Sequence, residues 1–431
     1  MLRVVLFLSS LAAASTVFGQ QGLRDPEFRR VPFDEWFTKG GQTWIKWAIN
    51  VSRPQLSAHQ RLSVELEVLI DGGGLANRVG RGQVVVFVQL ADAAGRPYQN
   101  HAVLDLQKMN DAIRKQDVSC VMSFFVLPGD YRLRVAVFDS ATSEHSVKEE
   151  KLHVAPLKND PLEDMWHDLP PVEFTNAAET PDSWYLPAIH GRLHLPVAAR
   201  SPVRVEVIVN LTPSERLSGS GRVQNRDFGA LIPALKAISQ IDLQNGSMNI
   251  ELLDLSRRRV VFHQEQVRTL DWAAMGSSLA DTKPGVIDLK SLEHRRENAD
   301  FFVKEVGRIV GRAAPEPAQV LIVLSGPVEF QGAQDLQPVP LTPAPGGRVF
   351  YIRYRVLPRP RLPPIESGPG LGRRQPMGGG RSPVPGGPGR YVAVDQLEST
   401  IKALAPRLFD VETAEQFRKA LAAILSDISR M

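Results

Sequence analysis

The sequence predicts a multidomain chain in which an all-β sandwich precedes a doubly wound α/β domain. Three patterns carry that expectation. Between residues 42 and 155, short strand-like runs follow one another with Gly, Pro and Asp turn signals between them and no helical period. Residues 203–209 read V-R-V-E-V-I-V and end in Asn210-Leu211-Thr212-Pro213-Ser214, a β-branched strand running into a loop. Residues 319–325, Q-V-L-I-V-L-S, have almost no polar alternation, as expected of a parallel strand buried on both faces.

Taken in order, residues 1–19 carry Arg3, a short apolar run over 4–14 and Val17-Phe18-Gly19. This is the pattern of a secretory signal cleaved near Gly19–Gln20, too short to span a bilayer. The expected product is secreted or periplasmic, with no transmembrane span. Residues 20–41 form a mixed polar N-terminal extension. The single Cys120 excludes an internal disulfide, and its strand-like setting makes it a small core residue. An exported chain without disulfides fits a bacterial envelope. The formal charge of +4 is misleading as an average, because residues 358–390 hold six Arg against one acid, Glu366. Basicity confined to one segment does not imply a nucleic-acid-binding fold.

Strand-like runs over 42–155 are punctuated by Asp71-Gly72-Gly73-Gly74, Ala94-Gly95-Arg96-Pro97 and Pro128-Gly129-Asp130. Residues 127–135, L-P-G-D-Y-R-L-R-V, resemble the tyrosine corner of immunoglobulin-like folds. That resemblance makes Tyr131 a structural residue and the sandwich immunoglobulin-like. Trp36, Trp44 and Trp47 suggest an aromatic platform for sugars, but odd spacing in one strand sends Trp44 and Trp47 to opposite faces. Packing is the better reading.

Residues 156–200 read as a Pro-rich connector. His190 and His194 flank Gly191 in an extended run that separates them by roughly 13 Å, too far for a metal pair. An extra strand or clamp between domains is the expected role. Over 201–431, the strand at 203–209 leads through a Ser/Gly loop to a helix with Phe228, Leu231, Leu235 and Ile238 on one face. Residues 248–255 and 259–264 read as a hairpin, 297–312 as a helix, and 348–355 as a last strand. Asp395 and Thr413 start two helices, the second with Phe417, Leu421, Ile424, Leu425 and Ile428 in one stripe. Between the strand at 348–355 and the helix at Asp395, residues 358–390 hold nine Pro and nine Gly; such a segment cannot bury a core and reads as a disordered insertion. Its arginines are available to an anionic envelope polymer.

This order of elements resembles the von Willebrand factor A-type domain. Residues 203–214 resemble that family's first strand with its Asp-x-Ser-x-Ser metal motif, and 320–326 its fourth strand, which ends in an Asp. With the sandwich in front, the chain is similar to A-type-related exported proteins of acidobacteria. In the family the motif holds a hard cation such as Mg²⁺ through oxygen ligands, and a partner's carboxylate completes the shell. Matched position by position, the first Asp is Asn210, the two Ser are Thr212 and Ser214, and the fourth-strand Asp is Gly326. Both carboxylates are missing. Mg²⁺ is usually held by at least one carboxylate, so the expectation is a degenerate metal site with no metal and no other cofactor.

Enzyme motifs are lacking. There is no G-x-S-x-G elbow around Ser325 and no phosphate-binding G-x-x-x-x-G-K-[ST]. The expected function is non-enzymatic binding of another envelope or extracellular protein. An envelope hydrolase with an unfamiliar site and a carbohydrate-binding protein are the alternatives. Trypsin digestion of the folded protein should cut first at Arg373, Arg374, Arg381 or Arg390, because exposed unstructured segments are nicked before packed ones. First cuts within 203–209 or 320–324, mapped by mass spectrometry, would overturn the domain assignment.

Overall fold

Period-two burial builds the first half of the chain. The structure, a computed structural model, describes residues 25–41, 45–109, 111–175, 189–212, 224–280, 295–311, 317–328, 347–355 and 395–431. Residues 1–19, Ser214 and the insertion at 358–390 lie outside them. Strands β1 (Trp47–Val51), β2 (Gln55–Leu56), β3 (Leu62–Ile70), β4 (Gln83–Ala91), β5 (Pro97–Asp105), β6 (Val118–Val126), β7 (Gly129–Asp139), β8 (His145–Val154) and β9 (Val172–Phe174) form two antiparallel sheets. One runs β1-β3-β6-β9 with β2 on β3, and the other β5-β4-β7-β8. Leu62, Val64, Leu66, Val68 and Ile70 of β3 point inward, and Val84, Val86, Val88 and Leu90 of β4 meet them in one core. Their alternation fixes the register, since a one-residue slip would turn every valine outward.

Strand β4 is buried on both faces from Val84 to Leu90, which a two-layer sandwich does not explain. The cover is the N-terminal extension. A 3-10 turn at Pro26–Arg30 and helix α1 (Phe33–Lys39) lay Phe28, Phe33 and Trp36 over Val85 and Phe87. Trp36 stacks on His145 at 4.4 Å and on Phe138 at 5.3 Å. A short helix, α2 (Gly72–Ala76), starts at the Gly-rich turn, where the Asp71 carboxylate accepts from the Gly74 amide.

The span 156–200, read as a Pro-rich connector with an extra strand or clamp between domains, carries two short strands. It supplies β9, which pairs with β6, and β10 (Leu195–Val197), which pairs in parallel with β12 (Ile241–Leu243). Pro161, Pro170 and Pro171 lie outside these strands, and Pro196 lies within β10. The second domain has one six-stranded sheet. Strands β11 (Val203–Asn210), β13 (Gly246–Asp254), β14 (Arg259–Gln264), β15 (Ala318–Ser325), β16 (Arg348–Tyr354) and β17 (Arg407–Val411) lie in the order β14-β13-β11-β15-β16-β17. All neighbours are parallel except β13 and β14.

Helices α3 (Gln224–Ile238), α4 (Trp272–Ala280) and α7 (Ala414–Ser429) cover one face of this sheet, and α5 (Arg295–Gly311) and α6 (Gln396–Ile401) the other. Val203, Val205, Val207 and Val209 face the first layer, while Ile208 faces the second. Strand β17 and helix α4 were not foreseen. Helix α7 starts in a reciprocal capping box, in which Thr413 and Gln416 satisfy each other's backbone amides. Among the described residues, no helix is long and apolar enough to cross a membrane.

The two domains share one hydrophobic cluster, which passes through Met165, Trp166, Leu169, Leu193 and Leu195. At its centre lies Arg418 of α7, 2% exposed. Its guanidinium donates to both Asp160 carboxylate oxygens at 2.6 and 2.7 Å and to the Leu162 carbonyl at 2.9 Å. It also stacks 4.7 Å over the Trp166 ring. Gln60 ties the same spot together: its carbonyl accepts from Trp166 Nε1 at 2.7 Å, and its side chain donates to the Ala414 carbonyl at 3.1 Å.

Burial works against the Asp160 charge, but the Arg418 bonds outweigh it and hold the carboxyl below its usual range. A depressed carboxyl stabilises the fold above its ordinary value and loses that contribution as pH falls through the lowered one. Arg418→Ala should therefore lower the unfolding free energy at pH 7 by about 3–5 kcal/mol, the cost of leaving one buried partner uncompensated. Urea titrations should find that gap much smaller near pH 2. A variant as stable as wild type at pH 7 would remove Arg418 from its central place.

Candidate functional site

In an open α/β sheet, ligands bind at the carboxyl ends of the strands. Here β11 ends at Asn210 and β15 at Ser325, and both side chains point to the α5–α6 face. Asn210 is fully buried. Its Nδ2 donates to Ser325 Oγ at 2.9 Å, and its Oδ1 accepts from the Thr212 amide at 2.9 Å. Thr212 Oγ1 in turn accepts from the Leu255 amide at 2.7 Å. Each motif oxygen that is described already has a partner.

Gly326, matched by resemblance to the fourth-strand Asp, lies one residue beyond the strand, and the side chain that meets Asn210 is that of Ser325. Strand β15 ends at Ser325, and Ser325 hydrogen-bonds Asn210. Period-two alternation puts Leu321, Val323 and Ser325 on one face. Thr212 lies next to Asn210, its amide on the Asn210 Oδ1; Ser214 is not among the described residues.

Beside this pair lies a charged network that the sequence did not disclose. Asp395 caps α6, its Oδ1 accepting from the Val328 and Leu397 amides at 3.2 Å each. Its Oδ2 accepts from the Tyr351 hydroxyl at 2.8 Å and from Arg353 Nη1 at 3.3 Å. Arg353 further donates to Glu398 at 2.6 Å and Asp410 at 2.7 Å. Burial raises the Asp395 carboxyl above its usual range, although Tyr351, the backbone amides and Arg353 all oppose the shift. Burial pushes the Tyr351 hydroxyl well above its ordinary value, and the Asp395 charge adds to that. Tyr351 also contacts Ser325, joining the network to Asn210. A capping-box pattern at residues 395–398 was the one signal that could have found Asp395.

This donor set does not fit Mg²⁺. Asn210, Thr212 and Ser325 offer only neutral oxygens, all engaged, and the nearest carboxylate is matched by a guanidinium. No group of three or more His, Cys, Asp or Glu among the described residues is placed to hold a metal ion. Nor is Ser325 built as a nucleophile, since its partners among the described residues are an amide, a carbonyl and a phenol rather than a base.

The remaining candidates are scattered. Tyr131 donates to the Leu127 carbonyl at 2.9 Å and approaches that of Pro171 at 3.3 Å, tying β7 to the entry of β9. Trp47 lies under the Lys148 ammonium at 4.6 Å, Trp36 is buried, and Trp44 is outside the described residues. His190 and His194 reach a cleft of about 1290 Å³ at the opposite end of the α/β sheet, between the two domains.

No protein-family model and no curated protein matches this chain. Among solved structures it is similar to Northeast Structural Genomics Consortium target SoR45, at 10% identity over 27% of this chain and 92% of that one, with a TM-score of 0.17. It is also similar to a β-glucosidase from Listeria innocua, at 17% identity over 27% of this chain and 17% of that one, with a TM-score of 0.16. Likenesses this slight bear neither on the fold nor on the chemistry.

The network makes a direct prediction. Tyr351→Phe removes one donor from a buried carboxylate and should cost about 1–3 kcal/mol of unfolding free energy, measured in urea. An unchanged midpoint would mean that the Tyr351–Asp395 bond does not hold this edge together.

Proposed function

We propose that the chain is an exported, non-enzymatic binding protein whose immunoglobulin-like sandwich carries a von Willebrand factor A-type domain that works without a metal ion. Strand order supports the A-type assignment. Numbered in chain order among the six strands of the large sheet, the first strand is central, the second and an antiparallel third lie to one side, and the fourth to sixth lie to the other. The observation that carries the metal-free mechanism is Asn210, fully buried where the family has its first carboxylate and engaged on both its oxygen and its nitrogen. The partner is another envelope or extracellular protein, reached by export through the signal at 1–19.

Two observations favour this function over its alternatives. A hydrolase needs an accessible acid, base or nucleophile, whereas Asp395 is 1% exposed and Ser325 fully buried. A sugar platform needs exposed aromatic faces, and Trp36 is covered.

Adding Mg²⁺ or EDTA should leave the wild-type melting temperature unchanged. The double variant Asn210→Asp/Ser325→Asp should be destabilised in EDTA and recover in Mg²⁺. With the cation at a hundred times its dissociation constant, linkage stabilises by about 2.7 kcal/mol, a rise of roughly 5–10 °C for a domain of this size. A clear Mg²⁺ response in the wild type, read by differential scanning fluorimetry, would overturn the metal-free mechanism.

A further inference from the structure

The joint between the domains holds a second buried arginine, and its donors are not all satisfied. Seven buried side-chain atoms among the described residues lack a hydrogen-bond partner, and four of them belong to the consecutive residues His59, Gln60 and Arg61, in the turn between β2 and β3. Arg61 is 3% exposed, and its Nη1 pairs with Glu173 of β9. Its Nε and Nη2 have no acceptor. Those two nitrogens form one edge of the guanidinium, and such an edge takes both oxygens of a carboxylate at once. A buried donor without an acceptor is destabilising, and folded proteins seldom keep one unless a water or an ion meets it.

Charge is unbalanced at the same place. Lys236, in the last turn of α3, comes from the other domain, and among the described residues no carboxylate forms an ion pair with it. Burial lowers the Lys236 ammonium to about 8; the Glu173 charge opposes that shift and the Arg61 charge adds to it. Burial also lowers the His59 imidazole to about 4, with Lys236 and Arg61 adding to the effect, so His59 is neutral at pH 7. Burial works against the Glu173 carboxylate, but Arg61 and the His190 and Gly191 amides outweigh it and hold that group below its usual range. Two cations, Arg61 and Lys236, thus share one carboxylate. The joint carries a surplus positive charge.

The surroundings hold the fork in place. The Phe125 ring lies 4.7 Å from the Arg61 guanidinium and meets the His59 ring edge-on at 5.5 Å. The neighbouring guanidinium of Arg418 is matched by Asp160 and leaves no charge over. Gly191 lines the cleft between the domains, and a Cβ built on it would fall 2.8 Å from both Arg61 Nη1 and Glu173 Oε2. Arg61 therefore lies directly behind the cleft wall, at a point where that wall is backbone alone. A water would satisfy the donors and leave the charge. Chloride would supply the charge but meet the fork at a single point, and inorganic phosphate carries more than one charge at neutral pH.

We propose that this joint binds a small monocarboxylate, its two oxygens on Nε and Nη2 of Arg61 and its charge balanced by Lys236. The anion enters from the cleft beside Gly191. Held by the β2–β3 turn of one domain and by α3 of the other, it ties the two together.

Calorimetric titration of the full chain with sodium acetate at constant ionic strength tests this, with sodium chloride and sodium phosphate titrated in parallel. Acetate should bind saturably and more tightly than either. Arg61→Lys keeps a cation beside Glu173 but removes the fork, and should weaken acetate binding at least tenfold. If that variant does not fold, Lys236→Met, which keeps the buried stem and removes the charge, should weaken binding at least tenfold by itself. In the wild type, affinity should fall as pH rises through about 8, where Lys236 gives up its proton, while Arg61 and Glu173 keep their charges and His59 stays neutral. The proposal is overturned by no saturable binding of acetate, by undiminished binding in either variant, by chloride or phosphate binding as tightly as acetate, or by an affinity that does not change across that pH range.

Discussion

A guanidinium removed from water where two domains meet is the constraint on which the rest of this molecule depends. Burying Arg418 is unfavourable unless every donor finds an acceptor and the charge finds its opposite. Asp160, the Leu162 carbonyl and the face of Trp166 supply these only when α7 lies against the sandwich in one orientation. Hydrophobic contact alone would tolerate sliding along the seam. A bidentate ion pair does not. The shared core brings the domains together, and Arg418 sets their angle. The cleft beside that seam, about 1290 Å³ in volume, inherits its shape from the same contacts.

At the other end of the sheet, charge is handled in the opposite way. At this end the strand edge is closed with neutral groups: Asn210 against Ser325, and Thr212 against the Leu255 amide. The buried carboxylate of Asp395 is matched inside the protein by Arg353, Tyr351 and two backbone amides. A low-dielectric edge with its own counter-charge gains nothing from an added cation. Its polar groups fasten α6 to the sheet.

What the sequence disclosed follows from how local each signal is. The valine alternation of β11, the unbroken apolar run of β15 and the stripe of α7 are written in neighbouring residues, and each element formed where its period lay. The Thr413 cap and the Tyr131 hydroxyl bond also reach only a few residues. Strand β17 was missed because Arg407–Val411 is short and only Val411 is buried, so no period could be read. Helix α1 was missed because its aromatics make sense only against the outer face of β4. That a strand ends at Asn210 was legible, but its bond to Ser325, 115 residues away, was not. Arg418 gave no signal at all: its acceptor Asp160 lies 258 residues away in the chain, and a lone arginine in an apolar stripe looks like a helix edge.

The capping of α7 beside Gln60 has a consequence for how such a chain is assembled from parts. Gln60 sits at a positive φ of 60°, in the turn between β2 and β3, and holds the Ala414 carbonyl at the first turn of the last helix. A boundary drawn at residue 200 is thus a seam in sequence but not in space. Recombination that moved the α/β domain onto another scaffold would carry a helix whose cation and first turn were both fitted to the old neighbour. Either half would fit a new neighbour only if that neighbour offered the same acceptors to Arg418 and the same donor to the Ala414 carbonyl.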